Sequence, residues 1–202
     1  MKSRLVAVIF FFSFPLFAQD HPTSEADNVQ SIVKALWIDF NLGDIEKIPA
    51  LGRPEDLHSI PAYKGEEAEA MKMKDLPQLS ETRREISQEV MKAFVFSKPI
   101  IAQDGKSADL TITTVVSEAR PLRELKMIYA SYMGFAYNAQ KSGEDFPTLE
   151  SIKTAVLAPG LPAQKKIDED AAELAKQKPY HVLLEKTPAG WKMNLQDFFE
   201  KN

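Results

Sequence analysis

Val29, Ile32, Val33, Leu36, Trp37 and Phe40 recur at intervals of three and four residues, the pattern of a helix with one apolar stripe. Ser24 and Asp27 carry the spacing of an N-cap and its reciprocal partner, and Gly43 is a residue able to end the helix. Over 44–79 the periodicity is lost. Pro49, Pro54, Pro61 and Pro77 break any long regular run, so this stretch reads as an irregular covering segment, either a lid or a rim or a set of short turns, with a short helix near 66–73. Thr82 and Glu85 repeat the capping-box spacing, and Ile86 and Val90 continue a second short helix.

The period then changes to alternation. Residues 94–101 predict a strand with Phe94, Phe96 and Lys98 on one side, and Asp104-Gly105 predicts a tight turn. Ala108, Leu110, Ile112, Thr114 and Val116 alternate with Thr111, Thr113 and Val115. This second strand is β-branched on both faces and is expected inside the sheet rather than at its edge. From Pro121 onward, Leu122, Leu125, Ile128, Tyr129, Tyr132, Met133 and Ala136 form another helical stripe, which fades over 141–143. A short helix is expected over 147–157, closed by Pro159-Gly160. The helix expected over 163–178 has only the small face of Ile167, Ala171, Leu174 and Ala175 and should pack lightly at the periphery. Two alternating runs, Tyr180-Val182-Leu184 and Trp191-Met193-Leu195, flank Pro188-Ala189-Gly190 and predict a closing hairpin. Together these elements predict an α+β domain over 19–202 with a helical insertion over 120–178.

Residues 1–18 read as a secretion signal. Lys2 and Arg4 form a basic start, 5–14 is apolar except for Ser13, and Ala18 suits the position before a cleavage point. The apolar run is shorter than the ~20 residues of a transmembrane helix, which argues against a retained anchor. Loss of Lys2 and Arg4 would make a chain of formal charge -4 more acidic still. An acidic surface without a basic patch argues against nucleic-acid binding. There is no cysteine, which excludes disulfides and lipid attachment after the signal, and no Asn-x-Ser/Thr acceptor. The expected location is the bacterial periplasm or the exterior, without a membrane span once the signal is removed.

The closing run YHVLLEKTPAGWKMNLQDF, with Gly190, Trp191, Lys192 and Met193 in its second strand, resembles the final strands of the NTF2-like, or cystatin-like, superfamily. The opening helix over 29–40 with Gly43-Asp44, and the hairpin through Asp104-Gly105, are similar to that superfamily's first helix and paired core strands. The resemblance implies a curved, mostly antiparallel sheet wrapped on the N-terminal helix to form a cone. The insertion over 120–178 departs from the simple pattern and would fill or cover the mouth of that cone. Fold-level likeness assigns no activity.

Of the three histidines, His21 lies in the polar leader, His58 in the irregular segment near Glu55 and Asp56, and His181 on a closing strand. They share no metal-ligand spacing, so neither a metal nor a cofactor is expected. His58 and His181 fit packing or surface roles. Either is also a candidate general base, which would need a carboxylate beside it in space. No nucleophile elbow or phosphate-binding glycine loop occurs. Tyr129 and Tyr132 share the stripe of the long helix, whereas Phe135 and Tyr137 fall off it. Tyr129, Tyr132, Tyr137, Trp37 and Trp191 are the candidate ligand-binding side chains, although Trp37 and Trp191 fit core anchors better. The charge-alternating stretches 64–75 and 165–178 read as solvated faces.

These readings favour a non-catalytic exported protein that binds a small apolar ligand, a peptide or a partner protein. The alternatives are a small-molecule isomerase or hydrolase with an acid–base pair in the cone, and an envelope-assembly or toxin-neutralising protein. N-terminal sequencing of the exported protein should begin near Gln19; a chain starting at Met1 in the membrane fraction would overturn the export reading.

Overall fold

In the computed structural model the described residues are 24–53, 64–196 and 198. The signal segment 1–18, His21 and His58 lie outside them. Helix α1 (Glu25–Leu42) opens with the expected capping box. The Asp27 N–H donates to Ser24 Oγ at 3.2 Å, and the Ser24 N–H donates back to Asp27 Oδ2 at 3.2 Å. Gly43 ends the helix at φ 74°, a left-handed conformation that favours glycine. A 3-10 turn (Ile45–Ala50) follows.

Helix α2 (Gly65–Met71) runs into short 3-10 turns, Lys72–Asp75 and Pro77–Leu79, and then into α3 (Ser80–Ala93). The second capping box does not form. The Pro77–Leu79 turn feeds straight into α3, so Thr82 falls inside the first turn, fully buried, with its hydroxyl unpartnered.

One sheet contains β1 (Phe94–Phe96), β2 (Ile100–Ile101), β3 (Ser107–Thr114), β4 (Tyr180–Thr187) and β5 (Gly190–Met193). The order is β1-β3-β4-β5, with β2 beside β3 on the β1 edge and every strand pair antiparallel. The expected strand over 94–101 is therefore split. Phe96 faces Ile112 while Ile100 faces Asp109, so the edge carries one residue more than β3 across the same interval. This is a bulge. Ser97 anchors it: its N–H donates to the Thr111 carbonyl at 2.9 Å, and its Oγ accepts from the Thr111 N–H at 2.8 Å. Strand β3 lies inside the sheet, as its composition predicts.

Alternation sends Ala108, Leu110, Ile112, Val182, Leu184, Trp191 and Met193 to the buried face and leaves Asp109, Thr113 and His181 exposed. The architecture is α+β: an N-terminal helix, a curved antiparallel sheet and helices inserted between β3 and β4. Gly52 extends the sheet beyond its named strands through a parallel bridge to Met193. Its lack of a side chain is needed, since a Cβ there would stand 2.2 Å from Leu195 Cδ1.

The insertion comprises α4 (Ala119–Ser142), α5 (Leu149–Leu157) and α6 (Pro162–Lys176). Helix α4 packs against α2, α3, α5 and α6, while α3 also packs against α1. The expectation that the last helix packs lightly is not met. Ile167 is fully buried and Leu174 is buried, and the small Ala171 lets α6 approach α4 closely. Arg120 ties the two by an ion pair to Asp168 and by a hydrogen bond to Gln164 at 2.9 Å.

Gly134 sits inside α4 with open space where a methyl group would point, so Gly134→Ala should raise unfolding free energy by roughly 0.5–1 kcal/mol. Gly52→Ala should lower it by about 1–3 kcal/mol, because Leu195 must move. Urea titration of the two variants checks the signs; a neutral Gly52→Ala would refute the close approach.

Candidate functional site

Trp37, on the buried stripe of α1, sits at the centre of an aromatic junction. Its ring meets Phe94 at 5.2 Å and 85°, Tyr180 at 4.9 Å and 64°, and Phe198 at 5.7 Å and 89°, all edge-on, and stacks on Phe40 at 6.0 Å. These rings come from the end of α1, the start of β1, the start of β4 and the chain beyond β5. On the inner side they close the core. On the outer side they wall a cleft of about 380 Å³ whose other wall is Arg123 and Lys126 of α4 with Leu174 and Gln177 at the end of α6. The insertion therefore neither fills nor seals this end of the sheet; it supplies half of an open cleft.

Lys126 is half-buried, and its Nζ donates to Asn41 Oδ1 at 3.2 Å. Asn41 is itself held by donating from Nδ2 to the Trp37 carbonyl at 2.8 Å. Withdrawal from water, aided by the positive charge of Arg123 and opposed by Asp170, pushes the Lys126 pKa down to about 8. Tyr180 donates its hydroxyl to Gln177, and burial raises its pKa against the pull of Arg123.

Phe40, Asn41 and Lys126 form a wall shared with a second cleft of about 330 Å³, closed by Tyr129, Met133 and Gly134 of α4 and by Ala70 and Met71. The end of α2 thus forms part of this cleft's rim. Beside this cleft lies a buried charge cluster. Asp44, just past the Gly43 cap, is fully buried. Its Oδ2 accepts from Arg83 Nη2 and, at 2.7 Å, from Lys47 Nζ, while Lys74 Nζ stands 3.7 Å from Oδ1. Arg83 also donates from Nη1 to the Tyr129 hydroxyl at 2.7 Å. Burial would raise the Asp44 pKa, but the hydrogen bonds from Lys47 and Arg83 and their charges outweigh it and hold the carboxyl below its ordinary value. Lys74 departs from the solvated face expected over 64–75: its side chain is only 14% exposed and pairs with Glu46 as well.

The candidate residues separate. Trp37 lines the first cleft and Tyr129 the second. Tyr132 is fully buried in the core with its hydroxyl unpartnered. Tyr137 is half-buried beneath Lys141, whose Nζ lies 5.9 Å from the ring centroid. Trp191 is buried near the opposite end of α1, beneath Lys186 and close to Glu25. His181 stands on the exposed face of β4, opposite Thr111, and lines neither cleft. The residues that build the first cleft beside Trp37 were legible only in part. Lys126 carries the one usable signal, a charge in the apolar register Leu122–Lys126–Tyr129–Met133.

Among the described residues no group of acidic and histidine side chains is placed to hold a metal, and no helix is long and apolar enough to cross a membrane. Compared with known proteins, the chain matches no family model, no curated protein and no solved structure.

Because the Asp44 pKa is lowered on folding, its stabilisation is complete above the ordinary carboxylate value near ~4 and is lost as pH falls through the lower folded value. Asp44→Asn should therefore cost about 3–5 kcal/mol at pH 7, with the deficit shrinking below about pH 4 as the native carboxyl protonates. Urea unfolding across pH checks this; a pH-independent deficit would show that the charge is not what the cluster uses.

Proposed function

We propose that this chain is an exported, non-catalytic binding protein with an NTF2-like, cystatin-like architecture, and that the cleft between α1, α4, α6 and the start of β4 receives a small ligand with an apolar body. The observation that carries this reading is the aromatic wall of an open cleft of about 380 Å³, within the roughly 300–1,000 Å³ span of small-molecule sites. Rings already fixed by one another offer a flat apolar surface at little conformational cost. The superfamily likeness rests on the opening helix, the antiparallel sheet and the Gly190–Trp191–Lys192 strand, and export rests on the segment 1–18. Within this reading the insertion acts as a wall and a lip, and the sheet's exposed face, where His181 stands, takes no part.

The neutral fluorophore N-phenyl-1-naphthylamine should bind the purified protein saturably at one site, with a rise in emission. Gln177→Trp, placed at the exposed lip, should weaken that binding at least tenfold by obstructing entry. Non-saturable binding, or a Gln177→Trp variant that binds as the parent does, would contradict the proposal.

A further inference from the structure

The first cleft is apolar on the α1 side and cationic on the α4 side. Arg123 and Lys126 stand one helical turn apart, and both line it. Arg123 has no hydrogen bond or ion pair with any described residue, and its Nε is buried. Lys126 reaches only the neutral amide oxygen of Asn41. Among the described residues no carboxylate lines the cleft. The acid that acts on Lys126 at longer range, Asp170, is already held by Lys166 at 2.8 Å. In the opposite wall Trp37, only 2% exposed, carries a buried indole N–H with no acceptor. Withdrawn cations are ordinarily paired, and this molecule does pair them elsewhere: a single buried carboxylate, Asp44, gathers Arg83, Lys47 and Lys74. Among the described residues the two cations of the cleft have no such counterpart.

We propose that the ligand of this cleft is a small organic anion, its carboxylate held between Arg123 and Lys126 and its flat apolar body laid against Trp37, Phe40 and Tyr180. This rests on the binding role proposed above and adds the charge of the ligand to it. Charge-assisted hydrogen bonds in a partly dry site are stronger than neutral ones, so the anion should be preferred over an uncharged molecule of the same shape. Arg123 supplies a planar fork suited to a carboxylate, and Lys126 supplies a point charge held in place by Asn41.

Calorimetric titration of the purified protein at pH 7 with 1-naphthoate and with 1-naphthalenemethanol, which share the ring system and differ in charge, tests this. The naphthoate should bind at least tenfold more tightly than the alcohol. Arg123→Gln and Lys126→Met should each reduce that preference, and the double variant should abolish it. Lys126→Arg, which keeps the charge, should retain it, and thermal melting of each variant reports whether it is folded. If both compounds bind equally to the parent, or the folded double variant keeps the preference, the anion inference is overturned while the binding role stands. If neither compound binds, the binding role itself fails.

Discussion

The edge-to-face packing of Trp37 against Phe94, Tyr180 and Phe198 is the contact on which this molecule's organisation depends. Aromatic pairs of this geometry contribute about 0.5–1.5 kcal/mol each beyond their buried area. Their larger effect is geometric. They join the first helix to β1, to β4 and to the chain beyond β5 at one point, and so fix where α1 crosses the end of the sheet. The same rings face outward onto the cleft. The wall of the candidate site is therefore part of the core, and its shape does not wait on a ligand.

A second constraint is electrostatic. Asp44 follows the glycine that ends α1, and its fully buried carboxylate draws Arg83 from α3 and Lys47 and Lys74 from the flanking 3-10 turns. Removing a partner from such a cluster leaves an unpaired buried charge, which costs more than the assembled cluster contributes. Arg83 passes the constraint on to α4 through Tyr129. Helix α4 is thus held from one side by this cluster, and one to two turns further toward its N-terminus it presents Lys126 and Arg123, whose charges no acid among the described residues offsets in contact. The contrast between cations gathered on Asp44 and cations that no described carboxylate meets gives the cleft its chemical direction.

The sequence exposed the local part of this architecture. Ser24, Asp27 and Gly43 mark both ends of α1 because capping is decided within a few residues, and Asp104-Gly105 marks the β2–β3 turn for the same reason. The internal placement of β3 follows from side chains suited to a pleated, packed surface. What failed was decided at longer range. Thr82 has the spacing of a cap, but the preceding Pro77–Leu79 turn already starts the helix. The edge bulge depends on Ser97 exchanging hydrogen bonds with Thr111, which no periodicity reveals. Helix α6 looked peripheral because its apolar face is small, yet small side chains are what allow close packing on α4. Among candidate site residues Trp37 was legible as the largest side chain on its stripe. Arg123, Phe94, Tyr180 and Phe198 join it from elements distant in sequence, and spacing cannot show such a convergence.

The two tryptophans, Trp37 and Trp191, lie near opposite ends of α1, which makes their indole N–H groups independent reporters. The most direct measurement is the ¹H–¹⁵N spectrum of the protein titrated with 1-naphthoate, the Trp37 signal being assigned by its loss in Trp37→Phe. A cleft built on Trp37 predicts a saturable shift of that resonance, with the Trp191 resonance unmoved. A shift confined to Trp191, or naphthoate binding that leaves Trp37 unchanged, would contradict the account.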